Sequence, residues 1–243
     1  MKHGRFWEID ALRGLAIVMM GVYHLAWDLN YFGLYRGNVA AGLWVVIQKA
    51  TAATFVSLVG VSLWLNYSRK GRVRFAWYLS RGLKILCWGI VVTLTTWNFL
   101  GKGTILFGVL HLIGVSIICA YPFLRLGNAN LVLGLIFIAT GCLLARTTVN
   151  SPWLIWLGLS PFDLYMVDYV PFFPWFGVVL LGIYAGYLAY PKGLRRLRLK
   201  EQTPPLARLL SFLGRHSLTI YLTHQPVFLG LLFLKKCFTP QLI

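Results

Sequence analysis

Ionisable side chains interrupt the first hydrophobic segment of this chain, and their types and spacing are suited to chemistry. Within the apolar run 9–28 these side chains are Asp10, Arg13, His24 and Asp28. At about 100° per residue the two aspartates point the same way, and Arg13 and His24 lie about 20° apart and within about 60° of the aspartates. Charged groups at membrane depth are costly and normally line a protein-enclosed or watery cavity. We therefore predict that this helix forms one wall of an active site.

His24 is the leading candidate for a catalytic group, because an imidazole can accept and return a proton near neutral pH. Asp28 follows one helical turn later, where it could orient a ring nitrogen of His24 or stabilise the imidazolium. The alternative interpretation of this spacing is a buried His–Asp pair that joins two helices.

Arg13 and Asp10, three residues apart, also allow two interpretations. They could form an ion pair on the helix surface at the membrane interface. Alternatively, Asp10 fixes the guanidinium so that Arg13 binds a phosphate or carboxylate through two hydrogen bonds. Arg5, close to the start of the same segment, is a second candidate for binding phosphate.

Candidate substrate-binding residues lie elsewhere in the chain. His111 is flanked by glycines in an apolar run, where a histidine is more often a packing residue. Asp168 precedes a span with two prolines, and it is either a helix N-terminal charge or a ligand for a substrate hydroxyl or amine. His224 and Gln225 lie directly before Pro226, which should free a backbone carbonyl in the last helix.

The composition identifies the class of protein. The 243 residues are 58% hydrophobic and only 12% charged, whereas a soluble domain carries about a quarter charged residues. The apolar runs are long and lack strict alternation, which disfavours a β-barrel. We predict an all-α polytopic membrane helix bundle with about 7–8 transmembrane helices, forming one domain over residues 1–243.

The net charge of +17 could suggest nucleic-acid binding, but the basic residues cluster between hydrophobic spans, as the positive-inside rule describes. Clusters at 69–74 and 192–200 place the N-terminus in the cytoplasm, although Lys235 and Lys236 oppose the rule. No small-residue cleavage site follows the N-terminal residues, so we expect no removable signal peptide.

The predicted helices are 10–32, 40–66, 75–98, 105–125, 129–146, 172–190 and 217–235. The stretch 151–165 is predicted as an interfacial or re-entrant piece, or as a short eighth span.

The four cysteines show no paired spacing typical of metal ligands, and three of them lie inside apolar runs. They are Cys87, Cys119, Cys142 and Cys237. Small buried hydrophobic residues are the simplest interpretation, so neither a metal site nor a disulfide framework is predicted.

Two family resemblances rest on these motifs. The run Ile9-Asp10-Ala11-Leu12-Arg13-Gly14 followed by His24 resembles the Arg–ten residues–His arrangement of integral-membrane acyltransferases of the acyltransferase-3 type. The segments 168–177 and 214–226 resemble the bacterial branch of the heparan-α-glucosaminide N-acetyltransferase-like catalytic domain family.

The resemblance implies transfer of an acetyl or other acyl group from cytoplasmic acyl-CoA, usually acetyl-CoA, to a sugar hydroxyl or amine. His24 would be the catalytic base, and Arg13 a donor-binding or structural partner. The heparan enzymes have Asn where this chain has His24 and a catalytic His further on, whereas no histidine lies between His24 and His111 here, so the mechanism is expected to resemble the acyltransferase-3 type.

The expected setting is the bacterial inner membrane, with a small-molecule or glycan acceptor, lipids as neighbours, and no nucleic acid or metal. The rival from another class is a non-enzymatic transporter or flippase that uses the same polar residues as a substrate and proton path. Transporters often contain inverted repeats, and no such symmetry is visible in this sequence. A second rival is a structural membrane protein whose polar residues hold helices together.

Overall fold

The computed structural model describes residues 5–71, 74–149, 151–159, 161, 165–196 and 204–238. Lys2 and parts of both basic clusters, 72–73 and 197–200, lie outside the described residues. In the described part of the chain there are eight α-helices and three 3₁₀ helices, with one isolated bridge between Gly103 and Met166.

The α-helices account for every predicted span. They are α1 Trp7–Tyr31, α2 Leu43–Lys70, α3 Phe75–Leu100, α4 Val109–Cys119, α5 Ala129–Leu144, α6 Phe172–Ala189, α7 Pro205–Arg215 and α8 Ser217–Phe238. Five of them (α1, α2, α3, α6 and α8) are long and apolar enough to cross a membrane. The prediction of an all-α polytopic membrane protein is therefore confirmed.

Two of the predicted spans are shorter than expected. Helix α4 has 11 residues and α5 has 16, against the roughly 20 residues that a perpendicular crossing needs. Helix α4 begins late because Gly108 has an extended backbone, and it ends early because Pro122 starts a 3₁₀ helix, Pro122–Arg125. In the stretch 151–165 the structure shows a 3₁₀ helix, Pro152–Leu157.

Helix α7 was not predicted. It begins at Pro205, a residue type favoured in the first turn of a helix. Its leucines at positions 206, 209, 210 and 213 follow the helical period i, i+3, i+4, i+7.

The chain forms two compact units. The first unit contains Met1–Phe55 and Lys200–Ile243, and the second contains Val56–Leu199. The boundary falls inside α2, so α1, α7 and α8 belong to the first unit, and α3 to α6 belong to the second.

Close helix contacts in the second unit occur at glycines. A Cβ atom on Gly182 in α6 would overlap the carbonyl oxygen of Ser57 in α2. On α3, a Cβ atom on Gly82 would lie 2.7 Å from the carbonyl oxygen of Gly114 in α4. In a membrane, where lipid is as apolar as leucine, such small residues allow the close backbone packing that holds helices together.

In the first unit, α1 crosses α7 at close range. A Cβ on Gly14 would overlap the carbonyl oxygen of Leu210, and a Cβ on Gly214 would overlap the carbonyl oxygen of Asp10. The Ser211 hydroxyl adds a hydrogen bond of 3.0 Å to a carbonyl oxygen in the first turn of α1. Both backbones are therefore in direct contact at this crossing.

Replacing Gly14 or Gly214 by alanine is expected to destabilise the protein, because the added methyl group would collide with backbone atoms. Overpacking costs about 1–3 kcal/mol, which exceeds the roughly 1 kcal/mol that a Gly→Ala change gains in a helix. Thermal unfolding in detergent, followed by circular dichroism, should show a lower Tm for each variant.

Gly21→Ala in α1 and Gly230→Ala in α8 are matched controls. A Cβ on Gly21 would lie 3.9 Å from the ring of Phe228, and a Cβ on Gly230 would meet nothing within 4 Å. Both variants should be neutral or slightly more stable. If Gly14→Ala were as stable as Gly21→Ala, the direct backbone contact would be disproved.

Candidate active site

Helix α1 turns its polar face, formed by Asp10, Arg13, His24 and Asp28, into the protein. Asp10 is 7% exposed and Asp28 is 4% exposed. Large apolar side chains on the other side of the helix are exposed; they are Leu12, Leu15, Val18, Val22 and Leu25. The predicted geometry is therefore present, since the charged groups avoid the surface that faces lipid.

His24 contacts a second histidine, His224 of α8. The ring centroids are 4.9 Å apart and the ring planes are inclined by 59°. His24 remains partly accessible, whereas His224 is buried. The α1–α8 interface formed by His24, Asp28, His224 and Gln225 thus brings together residues that lie about 200 positions apart in the chain.

The protonation pattern of His224 follows from its surroundings. Its Nδ1 lies 2.7 Å from the carbonyl oxygen of Tyr221, one turn earlier in α8. A carbonyl only accepts, so Nδ1 carries a hydrogen, and in the neutral ring Nε2 is an acceptor. Among the described residues, Nε2 of His224 has no hydrogen-bond partner although it is buried.

Asp28 pairs with α8 instead of with His24. The amide nitrogen of Gln225 donates to Oδ1 of Asp28 over 3.3 Å. The predicted hydrogen bond between Asp28 and His24 is not formed between the described atoms. Asp28 Oδ2 and Gln225 Oε1 are buried, and neither has a partner in the part of the chain that the structure describes.

The α1–α8 interface is therefore rich in hydrogen-bond acceptors and poor in hydrogen-bond donors. Three buried acceptor atoms, one each on Asp28, His224 and Gln225, lack a partner within the described ranges. A buried polar atom without a hydrogen bond is costly, and such atoms normally have a reason in function or a bound molecule. A hydroxyl or amine supplies the donors that these atoms need.

Arg13 and Asp10 form the predicted ion pair. Nη1 of Arg13 lies 3.1 Å from Oδ1 of Asp10, and the side chains are 25% and 9% exposed. The carboxylate thus fixes one guanidinium nitrogen while the arginine remains partly accessible. His24 lies eleven residues further along α1, or about 16 Å along the helix axis. Arg5 is exposed, two residues before α1 begins.

Asp168 lies in the second unit, at the N-terminus of α4. Its Oδ2 accepts a hydrogen bond of 3.2 Å from the backbone N–H of Val109, which satisfies one of the free donors at that helix end. The neighbouring Tyr169 donates to the carbonyl of Ile155 over 2.8 Å. Burial raises the pKa of Tyr169 to about 12, so its hydroxyl stays protonated and keeps this bond.

His111 lies in the same helix turn and uses both ring nitrogens. Nδ1 accepts from the backbone N–H of Gly108 over 3.3 Å, and Nε2 lies 3.3 Å from the Thr93 hydroxyl oxygen. The Thr93 hydroxyl donates to the carbonyl of Ile105, so Nε2 of His111 is the donor in that contact. The packing interpretation of His111 matches this geometry, while Asp168 acts as a helix-end charge.

Two contributors to the site were not identified from the sequence. Tyr221 supplies the carbonyl that fixes the His224 ring, and its spacing of three residues could have indicated this. Ser211 helps to hold α1 against α7, and the unpredicted helix hid it. Among the described residues, no group of three or more His, Cys, Asp or Glu side chains is arranged to hold a metal ion.

Comparison with known proteins gives one match. No curated protein and no solved structure matches the chain. The family described as heparan-alpha-glucosaminide N-acetyltransferase, catalytic, matches residues 5–226, a range that includes the whole polar face of α1 and the α1–α8 interface. This match covers most of the sequence, and the chain belongs to the heparan-alpha-glucosaminide N-acetyltransferase catalytic-domain family.

Proposed function

We propose that this protein transfers an acetyl group from acetyl-CoA to an amine or hydroxyl of a sugar or small-molecule acceptor at the α1–α8 interface. The family is one of acetyltransferase catalytic domains. The observation that carries the proposal is the contact of His24 with His224, beside buried acceptor atoms that lack partners in the described structure. Such an arrangement suits a substrate group that donates hydrogen bonds and must lose a proton.

His24 is the proposed base, because this residue is partly exposed, while His224 is buried and its ring is held by a backbone carbonyl. His24 removes the proton of the acceptor hydroxyl or amine as this group attacks the thioester carbonyl. A new C–O or C–N bond forms, the C–S bond breaks, and the departing thiolate takes the proton to give free CoA. His224 Nε2, an acceptor, can take part in holding the proton on the paired rings.

Asp28 and Gln225 are the proposed acceptor-binding groups. Each presents an oxygen that accepts hydrogen bonds. The Gln225 amide nitrogen, which could donate, is already bonded to Asp28. The carboxylate favours an amine over a hydroxyl, since an ammonium group offers both charge and three donors. His24 then supplies the base that a protonated amine needs before it can attack.

Arg13, with Asp10 and Arg5, is the proposed binding site for the phosphates of CoA. The ion pair with Asp10 orients the guanidinium, whose planar donors suit phosphate oxygens. The proposed topology places this end of α1 at the cytoplasmic face of a bacterial inner membrane, where acyl-CoA is present. The thioester arm would then extend along α1 toward His24.

His111 and Asp168 were predicted to bind substrate, and their hydrogen bonds support a structural role instead. Both hold the N-terminus of α4 in the second unit. We therefore assign the chemistry to the first unit. A glycan acceptor would make the enzyme one of polysaccharide modification.

Removal of the base is the first test. His24→Ala should lower the rate of acetyl transfer by about 10²- to 10⁴-fold, the usual contribution of a general base. The rate is measured as CoA thiol released from acetyl-CoA in the presence of a panel of amino sugars and neutral sugars. Added imidazole should restore part of the activity.

His216→Ala is the matched control, because His216 is exposed and bonds only to a backbone carbonyl of its own helix turn. It should keep the wild-type rate. Wild-type activity in a His24→Ala protein of unchanged Tm would refute the assignment.

Acceptor binding is tested with Asp28→Asn, which keeps the size of the side chain and removes its charge. Loss of a charged hydrogen bond costs about 1.5–3 kcal/mol, so KM for an amine acceptor should rise by about 10- to 100-fold while kcat changes less. A purely structural role would lower Tm and leave KM unchanged. An equal loss for amine and neutral-sugar acceptors would argue against the preference for amines.

Donor binding is tested by thermal stabilisation with CoA. A ligand that binds the folded protein raises Tm, and at a given concentration a tighter ligand raises it more, so CoA should stabilise the wild type, and Arg13→Gln should reduce that gain. Arg36→Gln, which changes an exposed loop arginine of the same unit, should retain it. A full gain in Arg13→Gln would show that CoA binds elsewhere.

A further inference from the structure

Helix α7 carries an apolar face that the protein leaves exposed. Leu206 is 68% exposed, Leu209 57% and Phe212 55%. These residues recur every three positions and therefore share one side of the helix. Ser211 and Gly214, which pack against α1, are buried and lie on another side. An exposed apolar face of this kind on a soluble surface would be unfavourable.

Positive charge borders this face. Arg208 and Arg215 are exposed and lie at similar angles on the helix, about 40° and about 60° from Phe212, the nearest edge of the apolar face. Helix α7 contains no acidic residue, and five Lys or Arg residues lie in the preceding segment 192–200. Leucine and phenylalanine on one face, with arginine on the next, are typical of helices that lie in the interface of an anionic membrane.

Helix α1, against which α7 packs, also indicates that α7 lies at a membrane surface. Helix α1 is a candidate membrane span, and α7 packs against its first turns at Trp7, Asp10 and Gly14. The charged residues Glu8, Asp10 and Arg13 lie in those turns, which therefore suit the boundary between lipid and water. At 11 residues, α7 is about 16 Å long and too short to cross the membrane itself.

We propose that α7 is an interfacial helix that binds the anionic lipid surface. Its face of Leu206, Leu209 and Phe212 enters the acyl-chain boundary, and Arg208 and Arg215 bind lipid phosphates. The Gly14–Gly214 contact transmits this attachment to α1, so α7 fixes the depth of α1 in the bilayer. The proposal does not depend on the chemistry assigned to His24.

Spin labelling of the full chain tests where α7 lies. Leu209→Cys and Arg208→Cys are each made in a background without the four native cysteines, labelled with a nitroxide and placed in nanodiscs of phosphatidylglycerol and phosphatidylcholine. Oxygen concentrates in lipid and a nickel chelate in water. The ratio of oxygen to nickel accessibility should be severalfold higher at 209 than at 208.

Equal ratios at the two neighbouring positions would overturn the proposal. Spin–spin broadening at 209 would also overturn it, because that result would mean that a second copy of the chain covers the face. If Leu209→Cys does not fold, Leu206→Cys and Phe212→Cys report on the same face.

The lipid charge is tested by thermal unfolding in nanodiscs with and without phosphatidylglycerol. Anionic lipid should raise the Tm of the wild type, and the double variant Arg208→Gln/Arg215→Gln should lose much of that gain. Lys102→Gln/Arg146→Gln is the matched control, because both residues are exposed outside α7, and it should retain the gain. An unchanged gain in the α7 variant would contradict binding to lipid phosphates.

Discussion

The direct backbone contact between α1 and α7 is the constraint on which the arrangement of the first unit depends. In a membrane, apolar side chains gain little by leaving lipid for protein, so helices associate through close packing and polar contacts. At Gly14 and Gly214 the two backbones leave no room for a side chain. This contact sets the rotation of α1 about its axis, and that rotation decides whether its aspartates face protein or lipid. The buried Asp10 and Asp28 show the outcome.

The two units use buried histidines in different ways, and the difference separates structure from chemistry. Both ring nitrogens of His111 form hydrogen bonds that hold a helix end. In His224, Nδ1 bonds to a backbone carbonyl, whereas Nε2 is buried and has no partner among the described residues. A satisfied ring lowers the energy of the folded state, whereas an unsatisfied one raises it until a ligand binds. Because of this cost, the proposed binding site of the acetyl acceptor is the α1–α8 interface and not the N-terminal end of α4.

Much of the fold could be predicted from the sequence, because length and apolarity identify helices and periodicity identifies the inward face of α1. The partners of that face could not be predicted. Asp28 and His24 are one turn apart, yet Asp28 bonds to Gln225, which lies far away in the sequence. Spacing along one helix describes neighbours on that helix only, and contacts between helices depend on tertiary packing. Helix α7 was not among the predicted helices, although its leucines follow a helical period.

An attachment of α7 to the lipid surface would give the polar face of α1 a defined depth. Along α1, Arg13 and His24 are separated by about 16 Å, so moving the helix by one turn would move both groups by about 5 Å relative to the headgroups. In the proposed reaction, an acetyl donor that enters from the water phase and an acetyl acceptor held between α1 and α8 can meet only if that depth is constant. Because α1 and α7 touch backbone to backbone, no flexible side chain can absorb a shift between them. The crossing therefore makes α7 the natural reference for the position of α1.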